Sequence, residues 1–167
     1  MTLRVGLLNT ARINERILGG ARLSERATVV AVGSRDGAKA KAYAAERGIP
    51  RAHGSYEALL ADPEVDAVYI SLPNGLHHEW TMRALAAGKH VLCEKPYSTD
   101  VAEVSAAFDL AAARGLILMG QPAAVFPPYN TSPSCFPSSS GLSSGKRSSF
   151  GTVGYTRRHI TSNGTWL

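Results

Sequence analysis

At 167 residues and 44% hydrophobic content, the chain has the length and composition of one globular domain with its own core. It carries no apolar run long enough to span a membrane and no opening stretch with the form of a signal peptide, so a membrane partner is not expected. The net charge of +5 suggests nucleic acid, yet all 13 acidic residues precede residue 121 beside 14 Lys and Arg. The excess is Lys146, Arg147, Arg157 and Arg158 in an acid-free tail, and no basic stripe for nucleic acid forms on a predicted element.

Leu3 to Leu8 reads as a buried first strand. Ile13, Ile17, Leu18 and Ala21 then recur on one face of a helix. Strand, tight turn and helix in this order open a dinucleotide-binding unit, in which the helix N-terminus receives a pyrophosphate. The glycine fingerprint is degenerate: Asn9, Ala11 and Asn14 stand where glycines would fall. Asn tolerates left-handed backbone, so Asn9 can make the turn, while Ala11 adds a methyl near the phosphates.

Thr28 to Val32 is a second strand, followed by Ser34-Arg35-Asp36. A guanidinium at this strand end accommodates a ribose 2′-phosphate, so Ser34 and Arg35 favour NADP over NAD. The alternative for Arg35 is a solvated loop charge. Asp36 is predicted to cap a helix from Gly37 to Arg47. A short third strand falls in Ile49 to His53, and Ser55 caps a brief helix through Ala61.

Asp66 to Leu72 is a fourth strand, closed by Pro73-Asn74-Gly75. Asn74 is predicted as the cap of the next helix, which carries Leu76, Trp80 and Ala84 on one side. His77 and His78 are adjacent and so do not share a helix face, and no third ligand is evident; no metal is expected. His77 either lines the crevice beyond the strand ends or is a polar first-turn residue.

His90 to Cys93 is a fifth strand, with Cys93 as a buried thiol. Cys93 and Cys135 make no disulfide framework, which points to the cytoplasm. This strand ends in Glu94-Lys95-Pro96. Ligands of an open α/β sheet bind beyond the carboxyl ends of its strands, and Pro96 restricts the direction in which Lys95 leaves. A lysine held there can move a proton to or from a hydroxyl; the plain alternative is a solvated Glu-Lys pair. Ser98, Thr99 and Asp100 supply caps for a helix to Arg114, with Val101, Val104, Phe108 and Ala111 predicted inward, and Leu116 to Met119 is a last strand. Alternating strands and helices require a doubly wound parallel sheet, Rossmann-like, over residues 1–120.

Leu8-Asn9-Thr10-Ala11-Arg12-Ile13, Ser34-Arg35, Leu72-Pro73-Asn74 with His77, and Cys93-Glu94-Lys95-Pro96 occur in this order. Together they resemble the N-terminal domain of the glucose–fructose oxidoreductase/inositol dehydrogenase (Gfo/Idh/MocA) family, nearest its NADP-dependent sugar and dihydrodiol dehydrogenase branch. The resemblance implies that Lys95 assists proton transfer while hydride passes between a sugar carbon and nicotinamide. It implies that Glu94 lies beside the cofactor, and that Asn9, Thr10, Ala11, Arg12, Ile13, Leu72, Asn74 and His77 line the dinucleotide cleft. Asn9 departs from the family's usual glycine. The implied partner is a small sugar or polyol, and homo-oligomerisation of the complete enzyme stays open.

The family continues into a second α/β domain, the substrate domain, which is missing here. Residues 121–167 instead carry Pro127-Pro128, Ser138-Ser139-Ser140 and Ser143-Ser144 without amphipathic period or acid. Such a composition cannot bury enough apolar surface to fold alone. A truncated, out-of-frame or alternatively spliced end is expected, with a disordered linker as the milder alternative. Two further readings stand beside the oxidoreductase: a non-catalytic dinucleotide-binding fragment, and a module whose basic tail contacts acidic partners.

Overall fold

A computed structural model describes residues 2–120, which form an α/β unit. In chain order the elements are β1 (Leu3–Leu8), α1 (Asn14–Arg22), β2 (Ala27–Gly33), α2 (Gly37–Arg47), β3 (Arg51–His53) and α3 (Tyr56–Leu60). There follow β4 (Ala67–Ile70), a 3₁₀ turn (Asn74–Leu76), α4 (His77–Ala86), β5 (His90–Cys93), α5 (Val101–Ala113) and β6 (Leu118–Met119). The expectations about residues 121–167 lie outside the described residues.

All strand pairings are parallel, in the order β3-β2-β1-β4-β5-β6. The order reverses between β1 and β4, so their carboxyl ends diverge into a crevice. Strand alternation divides the core into two layers. Leu7, Val32 and Tyr69 pack with Leu18 of α1 and Tyr43 of α2. Leu8, Ala31, Val68 and Ile70 pack with Leu59 of α3, Trp80 and Ala84 of α4, and Ala107 and Ala111 of α5. Full burial of one such Leu or Ile stabilises by roughly 1.5–3 kcal/mol, so the sheet is held from both faces. Gly6 and Gly33 let α3 lie close: a Cβ on either would come within 3.1 Å of the Leu59 side chain.

Helix starts follow local chemistry. Asp36 accepts from the N–H groups of Ala38 and Lys39. Ser55 accepts from Ala58 and Asp100 from Ala102, each satisfying an orphan donor of a first turn. Gly115, at φ +65°, follows the end of α5.

Three expectations are corrected. Asn74 makes no cap: Pro73 holds φ −57°, Leu76 N–H donates back to the Pro73 carbonyl, and the resulting 3₁₀ turn places Asn74 inside it. The helix proper then starts at His77 without a side-chain cap. Val101 does not face inward; it is 61% exposed at the first position of α5, where the helix has not yet reached the sheet, and Ala107 takes the buried position instead. The strands near Asp66–Leu72 and Leu116–Met119 are also shorter than predicted: β4 spans Ala67–Ile70, and only Leu118 and Met119 hold strand register with β5, although the Ile117 carbonyl accepts from Val91 N–H.

Candidate functional site

At the end of β1 the chain turns through Asn9, which has φ 126°, a region where side-chain-bearing residues are rare. Its own amide holds the turn. Asn9 Oδ1 accepts from Thr10 N–H at 2.7 Å, and Nδ2 donates to the Ser71 carbonyl at the end of β4, 3.3 Å away. Asn14, at the head of α1, is fully buried; it accepts from Ser71 Oγ at 2.7 Å and donates to the Asn9 carbonyl at 2.8 Å.

Ala11, Arg12 and Ile13 lead into α1, at the end where helix N–H groups lack intrahelical partners and the dipole favours an anion. Arg12, Ile13, Glu15 and Arg16 line a concavity there. Ile13 itself packs partly against the core.

One strand over, Ser34 is buried at the end of β2, its hydroxyl accepting from Asp36 N–H. This bond shapes the turn and leaves Arg35 exposed beyond it. Arg12, Arg35 and Lys95 all follow strand carboxyl ends, and among the described residues none of them makes an ion pair.

The Glu94-Lys95-Pro96 segment is fixed on both sides of its lysine. The Glu94 carboxylate takes the Tyr69 hydroxyl on one oxygen, and its other oxygen accepts from Lys95 N–H at 3.3 Å. Burial first, and the adjacent carboxylate second, push the Tyr69 phenol well above its ordinary range, so it keeps its proton and donates. The Pro96 carbonyl meets His77 Nδ1 at 2.7 Å, and the Tyr97 hydroxyl meets His78 Nδ1 at 2.9 Å. The Lys95–Pro96 peptide is cis. Lys95 itself is exposed, so the acid and base of the motif are not paired with each other.

Two expected wall residues lie deeper than expected. His77 is 1% exposed, its Nε2 2.7 Å from the Leu72 carbonyl, so its ring bridges two loops beneath the crevice rather than lining it. Leu72 is 5% exposed and its side chain belongs to the core, leaving only its backbone at the strand end. Asn74 remains exposed in the turn above them. Cys93 is buried, and burial pushes its thiol up to about 12, which keeps it unreactive.

The residues that sequence reasoning missed are Asn14 as a hydrogen-bonding centre, Ser71 and Tyr69. One signal was present for each. A polar residue where helix and strand meet closely needs partners, and so does a phenol on a buried strand.

These groups fit the pyrophosphate and ribose-phosphate end of a dinucleotide. A positive-φ turn heads a helix at the strand-order reversal, with the exposed Arg12 next to it. The arrangement defines a dinucleotide-binding α/β domain. Residues 3–121 match the family model described as oxidoreductase family, NAD-binding Rossmann fold, and the chain belongs to that family.

Among its relatives are the D-xylose 1-dehydrogenase (NADP(+)) 2 of Haloferax volcanii, 49% identical over 114 residues, and the trans-1,2-dihydrobenzene-1,2-diol dehydrogenase of Sus scrofa, 42% identical over 121. These alignments cover 68% and 71% of this chain but 35% and 36% of the relatives. The chain therefore spans about a third of the length of the curated relatives it matches. Among solved structures, the 3-ketoreductase KijD10 of Actinomadura kijaniata in complex with NADP superposes with a TM-score of 0.68 at 41% identity, over 72% of this chain and 38% of that one. Among the described residues no helix is long and apolar enough to cross a membrane, and no group of three His, Cys, Asp or Glu could hold a metal ion.

Proposed function

We propose that residues 1–120 are the NADP-binding domain of an oxidoreductase that acts on a hydroxyl of a sugar or polyol. The observation that carries this reading is the placement of Lys95, with its exposed ammonium unpaired among the described residues, on the same sheet edge as the α1 N-terminus and Arg35. When bound, the dinucleotide supplies the hydride acceptor or donor.

The chain's own residues do the rest. The α1 N-terminus and Arg12 hold the pyrophosphate. Arg35, exposed next to Ser34 at the end of β2, would hold the 2′-phosphate. Asn74 borders the cleft beside the Leu72 backbone, and Glu94 stands next to Lys95 with its direction set by Tyr69. Lys95 Nζ takes or returns the hydroxyl proton, as an amine within hydrogen-bond reach can. The relatives named for sugar and dihydrodiol substrates support the substrate class, and the NADP complex of KijD10 supports the cofactor. A cytoplasmic location belongs to the same reading.

Calorimetric titration of NADP and NAD into the unmutated chain tests it. Saturable binding with NADP the tighter of the two is expected; equal affinity would remove the role given to Arg35. The second reading, a dinucleotide-binding unit without catalysis of its own, rests on the family match being to the NAD-binding fold, residues 3–121. It predicts NADP binding without turnover on aldoses, inositols or dihydrodiols. Saturable turnover near about 1 s⁻¹, the low end for ordinary enzymes, would exclude it.

A further inference from the structure

Asn9, Asn14 and Ser71 form a closed ring of hydrogen bonds across the β1–β4 crevice. The Asn9 side chain donates to the Ser71 backbone at 3.3 Å, the Ser71 side chain to the Asn14 side chain at 2.7 Å, and the Asn14 side chain to the Asn9 backbone at 2.8 Å. Asn14 is completely buried and Ser71 is 8% exposed, so the Ser71–Asn14 bond is shielded from water, while the two bonds to the half-buried Asn9 lie at the edge of the crevice. The spare oxygen of Asn9 takes Thr10 N–H, the first donor of the turn into α1. The Tyr43 hydroxyl closes the far side, 3.5 Å from the Ala11 carbonyl.

We propose that Asn14 and Ser71 are positioning residues for the dinucleotide. They hold the β1–α1 turn in its ligand-receiving shape and tie it to the end of β4. The proposal rests on the reading of residues 1–120 as an NADP-binding domain. The usual phosphate turn reaches its shape through glycines, whose freedom must be given up when ligand binds. Here the turn contains no glycine between Leu8 and Gly19, and side chains fix it instead. A site ordered before binding loses less entropy on binding. Ser71 immediately precedes Leu72-Pro73-Asn74, so the ring also makes the floor of one half of the crevice continuous with the other. Neither Asn14 nor Ser71 needs to touch the ligand for this.

The test is a double-mutant cycle on NADP affinity, with Asn14→Ala, Ser71→Ala and the pair, measured well below each variant's Tm. Either single change should weaken NADP about tenfold, the effect of one buried hydrogen bond and its orphaned partner. The pair should weaken it no further, since either change opens the same ring. Ser71→Thr keeps the hydroxyl and should stay within about twofold of the unmutated chain.

Lower Tm with Kd unchanged within about twofold in both alanine variants would make the ring a fold element only and overturn the proposal. Should the alanine variants not fold, amide exchange in the unmutated chain decides. Thr10 N–H must be protected before NADP is added, and exchange at an unstructured rate overturns preorganisation. Failure of the unmutated chain to bind NADP would sink the proposed function and the cofactor role of the ring together, whereas a weakened Asn14→Ala beside a tight unmutated chain supports both.

Discussion

Strand β5 carries a lysine just beyond each end, and the two have opposite surroundings. Lys89, before the strand, is 9% exposed and donates from Nζ to the carbonyls of Asp62 and Val65 at 2.8 and 2.7 Å. Lys95, after the strand, is exposed and makes no ion pair among the described residues. The difference extends along both edges of the sheet. At the amino edge Arg4 pairs with Asp66 at 2.6 Å and with Glu64 at 2.9 Å. At the carboxyl edge Arg12 and Arg35 are exposed, like Lys95, and among the described residues make no ion pair. Charge closed on itself holds structure, and charge left open at strand carboxyl ends is available to a ligand.

The largest effect expected from this contrast is at Lys89. Lys89→Met removes two charge-assisted hydrogen bonds from the buried carbonyls of Asp62 and Val65, of which Asp62 keeps the Val65 N–H, and should cost roughly 2–4 kcal/mol in urea unfolding. Lys95→Met should stay within about 0.5 kcal/mol, as exposed positions do. Equal losses for the two lysines would erase the distinction between the edges. Next in size is Arg35→Ala, which should weaken NADP by about 1.5–3 kcal/mol while leaving NAD affinity unchanged. Competitive titration of the two cofactors reads this directly, and a parallel loss for both would assign Arg35 to something other than the 2′-phosphate.

A finer cut is possible at Asn9. Asn9→Ala should be less stable than Asn9→Gly by about 1–2 kcal/mol, since alanine resists a positive φ and glycine does not. Thermal unfolding of the two variants side by side checks it. The smallest effect is expected in acid. Hydrogen bonding from Arg4 holds the Asp66 carboxyl at about 2, below its ordinary 3.8. A depressed carboxyl stabilises the fold above its unfolded value, and that contribution is lost as pH falls from about 4 toward 2. Asp66→Asn should flatten the fall in stability over that window. Because the pair is partly solvated, added salt should shrink the effect.

The elements could be read from the sequence because their signals are local. Short apolar runs and helical apolar patterns marked the six strands and five α-helices of the described residues, and Asp36, Ser55 and Asp100 cap as their side chains predict. The chemistry of the edge was legible as far as residue types and strand ends go: Asn9 at positive φ and Arg35 exposed after β2 follow from the chain itself. What was hidden is non-local. Ser71 reaches Asn14 across 57 residues, Tyr69 reaches Glu94 across 25, and Lys89 reaches Asp62 across 27. No spacing rule connects such pairs; only the strand order does. His77 shows the same limit from the other side, since its position in a first turn gave no sign that both ring nitrogens would meet carbonyls of flanking loops.

The closeness of α3 to the sheet also limits how this domain can be redesigned. Gly33 immediately precedes Ser34-Arg35, and a Cβ on it would meet Leu59 Cβ at 3.1 Å and the Ser55 carbonyl at 3.3 Å. Neither a side-chain root packed in the core nor a helix-capping backbone can step aside cheaply. In a library varied after β2, members changed at residue 33 would therefore have to displace Leu59 or the Ser55 backbone by a few tenths of an ångström, and lose stability for it. Variation at residues 34 and 35 avoids that contact, and with the Ser34 hydroxyl holding the turn, Arg35 is the exposed position of the two that can change without disturbing the fold.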